Sequence, residues 1–208
     1  MGGEAMEERI LQLLSAKKGH FLLESGHHGD LWLDLETLCL RPRMVACFAD
    51  DLAGAIADFG LVALCGPLVE GAFVGLMVAM KLNLKFTYSE RFAKPSEHGL
   101  FPAGYRIPLP LREPLRGKRV AIVDDVINAG SAVRGTFEDL QQCGANVVAV
   151  GALLVLGKAA PAYFSGKGVP LVSFATMPNN LWAPSECPLC ASGTPLEDMA
   201  AFNVTLPT

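Results

Sequence analysis

Apolar positions recur at helical spacing near the start of the chain, where Ile10, Leu11, Leu13 and Leu14 share one stripe within residues 5–17. With Gly19 as a stop, the spacing predicts a helix there. Two short apolar runs follow, 21–23 and 31–35, separated by Ser25-Gly26-His27-His28-Gly29-Asp30. That order predicts strand, turn, strand. Pro42 opens a second helix, with Met44, Val45, Phe48, Leu52, Ile56 and Phe59 at helical spacing and Gly60 at its end. Beyond it strands and helices alternate. Residues 61–65, 86–89, 105–109, 119–123, 147–155 and 171–174 read as strands, and 72–81 and 132–142 as helices. Residues 66–71, 90–104 and 124–131 read as loops. Strands without polar alternation, joined by helices, predict an α/β fold with a central parallel sheet covered on both faces. No internal repeat is visible. The last stretch, 178–208, has little periodicity and reads as an irregular extension packed on the domain.

Composition narrows the class. A chain of 208 residues suits one domain: an N-terminal helix and hood over 1–40, a core over 41–176 and a tail over 177–208. Hydrophobic residues make up 51% and the net charge is only −4, which excludes disorder as the dominant state. The mild acidity argues against nucleic-acid binding, but one basic pocket on an acidic protein still takes a small anion. No apolar run reaches about 18 uncharged residues, so no membrane span is expected. The start carries Glu4, Glu7 and Glu8 rather than a basic segment, which argues against a secretory signal and for the cytoplasm. The six cysteines lie mostly in apolar stretches and read as reduced core thiols.

The most informative segment is RVAIVDDVINAGSA, residues 119–132. An apolar strand ends in Asp124 and Asp125, and a short loop with Gly130 and Ser131 leads into a helix. In open parallel sheets, ligands bind beyond the carboxyl ends of the strands. A helix N-terminus offers free N–H groups and the positive end of a dipole, which suits phosphate. Gly130 lets the backbone approach closely, and Ser131 adds a hydroxyl. Two carboxylates beside an anion site must face something other than phosphate, and vicinal ribose hydroxyls with a divalent metal fit that need. The plainer alternative is a strand end and helix cap with acidic residues. No Gly-x-Gly-x-x-Gly follows a strand and no Gly-Lys-Ser/Thr occurs, so neither a dinucleotide fingerprint nor a Walker loop is present.

Residues 120–132 resemble the phosphoribosyl-pyrophosphate (PRPP) signature of the type I phosphoribosyltransferases, and most of the chain resembles the orotate branch of that family. FLLESG at 21–26 with residues 31–34 resembles that branch's hood. CGPLVEG at 65–71 resembles its pyrophosphate-contacting loop, and 88–104 sits where the family has a mobile catalytic loop. The resemblance implies the type I phosphoribosyltransferase fold, with a small N-terminal hood and an irregular C-terminal tail. It implies that Asp124 and Asp125 hold the ribose hydroxyls, directly or through Mg²⁺, and that Asn128, Ala129, Gly130, Ser131 and Ala132 wrap the 5′-phosphate. Gly66, Glu70 and Gly71 would lie near the pyrophosphate. Arg91, Lys94 and His98 would come from the loop to cover the leaving group. The implied reaction moves phosphoribosyl from PRPP to a nucleobase, orotate first, giving orotidine 5′-phosphate and pyrophosphate in pyrimidine nucleotide synthesis. The implied cofactor is Mg²⁺ and the implied assembly a homodimer. A transferase for another base, or a non-catalytic PRPP-binding regulator, are the alternatives. The chain departs from the branch at Glu24 and Glu70, where many members have Lys, and at Leu156-Gly157-Lys158, where an Asp-Arg pair is usual.

Cys187-Pro-Leu-Cys190 is the one Cys-x-x-Cys motif. A structural zinc site needs four ligands, and no second Cys pair or His-x₃-His lies near it in sequence. Tail packing is the first reading, with an incomplete or intersubunit metal site and a redox pair as alternatives. His27 and His28 are adjacent, point to opposite faces if in a strand, and read as surface or hood residues. Trp182 reads as an anchor for the tail, and the methionines as core.

Overall fold

A computed structural model describes residues 9, 10, 12, 14–93 and 100–199. The initial helix falls mostly outside these residues, and its expected end does not hold. Ser15–Leu22 is a strand, β1, paired antiparallel with β2, His28–Asp34. Pairing with β2 outweighs the helical spacing of a short segment, as tertiary context commonly does. The turn between them closes on Gly26 at φ 77°.

Helix α1, Pro42–Ile56, starts on its proline and is followed by a short 3₁₀ turn that ends at Gly60 in the left-handed region. Then come β3 (Ala63–Pro67), α2 (Glu70–Leu82), β4 (Lys85–Ala93), β5 (Ala103–Arg106) and the single turn α3 (Leu109–Arg112). After these come β6 (Arg119–Ile127), α4 (Ser131–Gln142), β7 (Asn146–Leu156), α5 (Ala159–Gly166) and β8 (Leu171–Met177). The main sheet has the order β5-β4-β3-β6-β7-β8, parallel throughout except for the antiparallel edge pair β4/β5.

Two apolar layers cover it. Val45, Phe48, Leu52 and Ile56 of α1 pack with Val74 and Val78 of α2 on one face. Val133, Phe137 and Leu140 of α4 pack with Phe164 of α5 on the other. Burial on both faces explains why β6 and β7 read as unbroken apolar runs.

Two segments expected to be loops are more ordered. β4 runs through Arg91 to Ala93 and pairs back with β5, so the described ends of the polar stretch from Glu90 form an antiparallel strand pair. β6 continues past the two aspartates to Val126 and Ile127, paired with Leu154 and Val155 of β7. Adjacent carboxylates look like a strand end in sequence, but backbone pairing to a longer neighbour carries the strand through them.

The described part of the tail, up to residue 199, is largely irregular but carries short elements. It supplies β9 (Leu181–Trp182), the single turn α6 (Pro188–Ala191) and β10 (Glu197–Asp198). β9 pairs with β2 and β10 with β1, giving a second sheet of order β10-β1-β2-β9. Two-residue strands leave no periodicity to read. No helix among the described residues is long and apolar enough to cross a membrane.

Candidate active site

Between the hood sheet and the carboxyl ends of the main strands lies a cleft of about 770 Å³. Asp124 and Asp125 form part of its floor, only 6% and 4% exposed. The Asp125 N–H donates to Asp124 Oδ1 at 3.1 Å, while Asp125 Oδ2 is buried with no hydrogen-bond partner. Burial pushes both carboxyls above the ordinary carboxylate range; the neighbouring Asp125 charge pushes Asp124 further, and Glu70 adds to the rise at Asp125.

Gly71 is the reason the floor fits together. A Cβ there would strike the Asp124 carboxylate and lie 3.2 Å from its Cα. Gly66, at the end of β3, is equally confined, since a Cβ would come within 2.6 Å of Ala72 Cα. The stretch expected as a 66–71 loop is therefore shorter: Gly66 and Pro67 belong to β3, and Glu70 opens α2. Leu68 and Val69 alone bridge them, joined by a cis peptide. Gly66 itself does not line the cleft, whereas Glu70 and Gly71 do.

Asn128, Ala129, Gly130, Ser131 and Ala132 line the cleft where β6 passes into α4. Gly130 sits at φ 88° in the cap position, and no side chain caps this helix end. The first-turn N–H groups are thus left for another partner. Asn128 Oδ1 accepts from Asn179 Nδ2 of the tail at 2.7 Å, a contact that the local sequence does not announce.

Arg91 faces the cleft from β4, its Nε 3.3 Å from Glu24 Oε2. Tyr105 donates its hydroxyl to Glu24 Oε1 at 2.9 Å, and burial followed by the Glu24 charge raises the phenol's pKa. Glu24, where a lysine is common in the orotate branch, thus ties the hood to the β4/β5 pair. Lys94 and His98 lie outside the described residues. Beyond them, the Phe101 N–H donates to the Ser25 carbonyl at 2.7 Å. Its ring lies against His27 and beneath the Arg134 guanidinium, 4.7 Å away. Burial, then the Arg134 charge, lowers the His27 pKa. Leu156 lines the cleft, but the exposed Lys158 does not.

Among the described residues, charge in the cleft is lopsided. Glu24, Asp34, Glu36, Glu70, Asp124 and Asp125 line it, against Lys17 and Arg91. Lys17 is already paired with Glu197 at 2.6 Å. Added positive charge favours entry of a polyanion into such a space.

No protein-family model matches the chain. The orotate phosphoribosyltransferase of Thermotoga maritima is 29% identical to it over 195 residues, covering 92% of this chain and 96% of that protein. The orotate phosphoribosyltransferase of Caldanaerobacter subterraneus is 26% identical, covering 91% and 95%. The chain resembles the orotate phosphoribosyltransferases along most of its length. Its fold is also that of the solved orotate phosphoribosyltransferase of Aeropyrum pernix, with a TM-score of 0.61 at 23% identity over 85% of this chain and 94% of that one. An adenine phosphoribosyltransferase from Trypanosoma brucei matches at a TM-score of 0.64 and 16% identity, over 82% of this chain and 79% of that one. The expected type I phosphoribosyltransferase fold is the fold observed.

Proposed function

We propose that the chain transfers phosphoribosyl from PRPP to orotate, giving orotidine 5′-phosphate and pyrophosphate. The observation that carries this reading is the buried Asp124–Asp125 pair in the cleft floor, leading directly into the uncapped, glycine-started end of α4. The names of the sequence relatives support the acceptor.

Each residue then has a task. The 5′-phosphate sits at Asn128, Ala129, Gly130, Ser131 and Ala132, held by backbone N–H groups, the Ser131 hydroxyl and the helix dipole. The carboxylates of Asp124 and Asp125 accept from the ribose hydroxyls above them. Gly71 keeps the floor low enough for the sugar, and the backbone around Leu68 to Glu70 borders the pyrophosphate. As the bond from ribose C1 to pyrophosphate breaks and the bond to the base nitrogen forms, charge builds on the leaving group. Arg91, with Lys94 and His98 from the 94–99 segment, answers that charge.

The donor set fits a divalent cation. Asp125 Oδ2 is an unpartnered buried oxygen, and the cleft is rich in carboxylates, which hard cations prefer. Asp124 and Asp125 would hold Mg²⁺ directly or through water or ribose, and the ion would offset pyrophosphate charge that the cleft's own side chains repel.

We place the enzyme in the cytoplasm as a homodimer. On α2, Phe73, Leu76 and Met80 are 45%, 43% and 75% exposed and follow helical spacing, and Met44 of the neighbouring α1 is also exposed. An apolar stripe of this kind suits burial by a second copy.

The test is product formation from PRPP and Mg²⁺ with orotate, adenine, hypoxanthine and uracil offered separately. Orotidine 5′-phosphate as the dominant product supports the reading. Product from another base alone would reassign the acceptor, a reading that Leu156 in the cleft wall and the outlying Lys158 favour. PRPP binding without any product would leave a regulator. Lys94→Ala should lower the turnover rate more than PRPP affinity.

A further inference from the structure

The hood and the tail bring together four side chains that lie far apart in sequence: His20, His28, Cys187 and Cys190. Their ligating atoms all lie within 4.8 Å of one another. His20 Nε2 is 3.0 Å from His28 Nδ1, 3.4 Å from Cys187 Sγ and 3.7 Å from Cys190 Sγ. Cys190 Sγ is 3.2 Å from His28 Nδ1. We propose that these residues form a structural zinc site that clamps the C-terminal tail to the hood.

Four of the six donor–donor distances are close to those of a tetrahedron. With Zn–N near about 2.0 Å and Zn–S near about 2.3 Å, neighbouring donors stand roughly 3.3–3.8 Å apart. The four closest spacings, 3.0–3.7 Å, scatter around that range and every pair stays within 4.8 Å, so an ion enters once the donors close on it by up to about an ångström. The donor chemistry points the same way. Two imidazoles and two thiolates suit zinc, while Mg²⁺ and Ca²⁺ want oxygen. Four protein donors complete the coordination sphere, which marks a structural rather than a catalytic ion.

The surroundings are built for it. His20, His28 and Cys187 are buried, with Cys190 at the surface as a route of entry. His20 Nδ1 lies 2.8 Å from the Thr194 carbonyl, so its N–H donates there and Nε2 is left to face the cluster. Such an outer hydrogen bond fixes the tautomer of a metal-bound imidazole. The two cysteines flank a tight turn: Ala191 N–H donates to the Cys187 carbonyl, and Gly193 N–H to that of Cys190, with Gly193 at φ 73°. The irregular pairing of β1 with β2 between Lys18 and Phe21 lies at His20, beside the strand position of His28. Binding would release two thiol protons to solvent, and two thiolates would neutralise the ion, so no net charge is buried.

None of the four lines the cleft, so the clamp stands independently of the proposed transferase reaction. It does sit on the wall of that cleft, because β1 leads directly into Leu22 and Leu23, which line it. The described part of the tail buries few apolar side chains of its own, and its two strands there are two residues each. A metal link supplies the attachment that so small an interface lacks.

The experiment is metal analysis of the untagged chain purified with reductant and without chelator. The expected result is one zinc per chain, falling below about a tenth in Cys190→Ser and in His28→Asn. Stoichiometric Co²⁺ added to the zinc-stripped wild-type chain should give the visible ligand-field bands and thiolate charge-transfer band of a tetrahedral N₂S₂ site. That measurement does not depend on any variant folding. Zinc removal should also expose the 183–193 segment to protease. A wild-type chain that holds no zinc and gives no cobalt spectrum overturns the proposal. So does a Cys190→Ser chain that keeps its full zinc, or a Cys187–Cys190 disulfide that persists under reductant.

Discussion

At the scale of single residues, the buried carboxylates dominate. Asp125 is lifted from its ordinary 3.8 to about 6, chiefly by desolvation, and Asp124 is lifted in the same direction. The folded chain without ligand therefore holds protons that the unfolded chain gives up. This contribution to stability is complete below 3.8 and is lost as pH rises through about 6. Denaturant midpoints of the ligand-free chain should fall across that window because of this pair, and the fall should be shallower in Asp125→Asn. An identical slope in the variant would show that the carboxyl is not perturbed. The same substitution paired with Asp124→Asn replaces both charged acceptors for the ribose hydroxyls with neutral amides. PRPP affinity should drop by about tenfold or more, since hydrogen bonds to charged groups are worth about 1.5–3 kcal/mol. Calorimetric titration with PRPP and Mg²⁺ measures this directly, and unchanged affinity would place the sugar elsewhere.

At the scale of elements, the site depends on how closely α2 approaches β6. Gly71 allows the first turn of α2 to lie against Asp124. Gly71→Ala should cost about 1–3 kcal/mol through overpacking and reduce PRPP affinity with it. Urea denaturation gives the first quantity, and an undiminished midpoint would mean that the helix shifts freely. A second device positions α4. Buried Asp139 accepts from the Ile107 N–H at 2.7 Å and from the Arg112 guanidinium at 3.0 Å, locking the helix to the chain after β5. Asp139→Ala leaves a buried donor and a partly buried cation without their acceptor. A loss of about 3 kcal/mol is expected from the same urea measurement, in line with breaking other buried ionic contacts.

At the scale of the whole molecule, two attachments matter beyond the core. One is the apolar stripe on α2. Leu76→Asp places a charge in its middle and should convert a dimer to a monomer in sedimentation velocity without lowering the monomer's thermal stability. A wild-type chain that sediments as a monomer at every concentration would remove the dimer. The other is the joining of tail to hood, through β9, β10 and the His–Cys cluster. Acidity of the cleft is also a property of the whole. Six carboxylates of its described lining come from hood, α2 and β6 together, so PRPP binding should collapse when Mg²⁺ is chelated.

Much of the architecture was legible from residue order. Apolar runs without alternation announced the parallel sheet, Pro42 and Gly60 bracketed a helix, and the DDVINAGSA segment pointed to the loop and helix start where we propose the phosphate sits. These signals are local, since each depends on the spacing of neighbours along one chain segment. What tertiary structure alone decided is the meeting of distant groups. Backbone pairing with β7 carried β6 beyond its aspartates, and pairing with β2 turned the expected end of the first helix into β1. Glu24 found Tyr105 and Arg91 across the cleft. His20 and His28 met Cys187 and Cys190, a ligand set that no spacing in sequence encodes because two ligands come from a strand pair and two from a turn about 160 residues later. Local pattern determines which elements form; only packing of those elements determines which side chains share a volume, and chemistry follows that second choice.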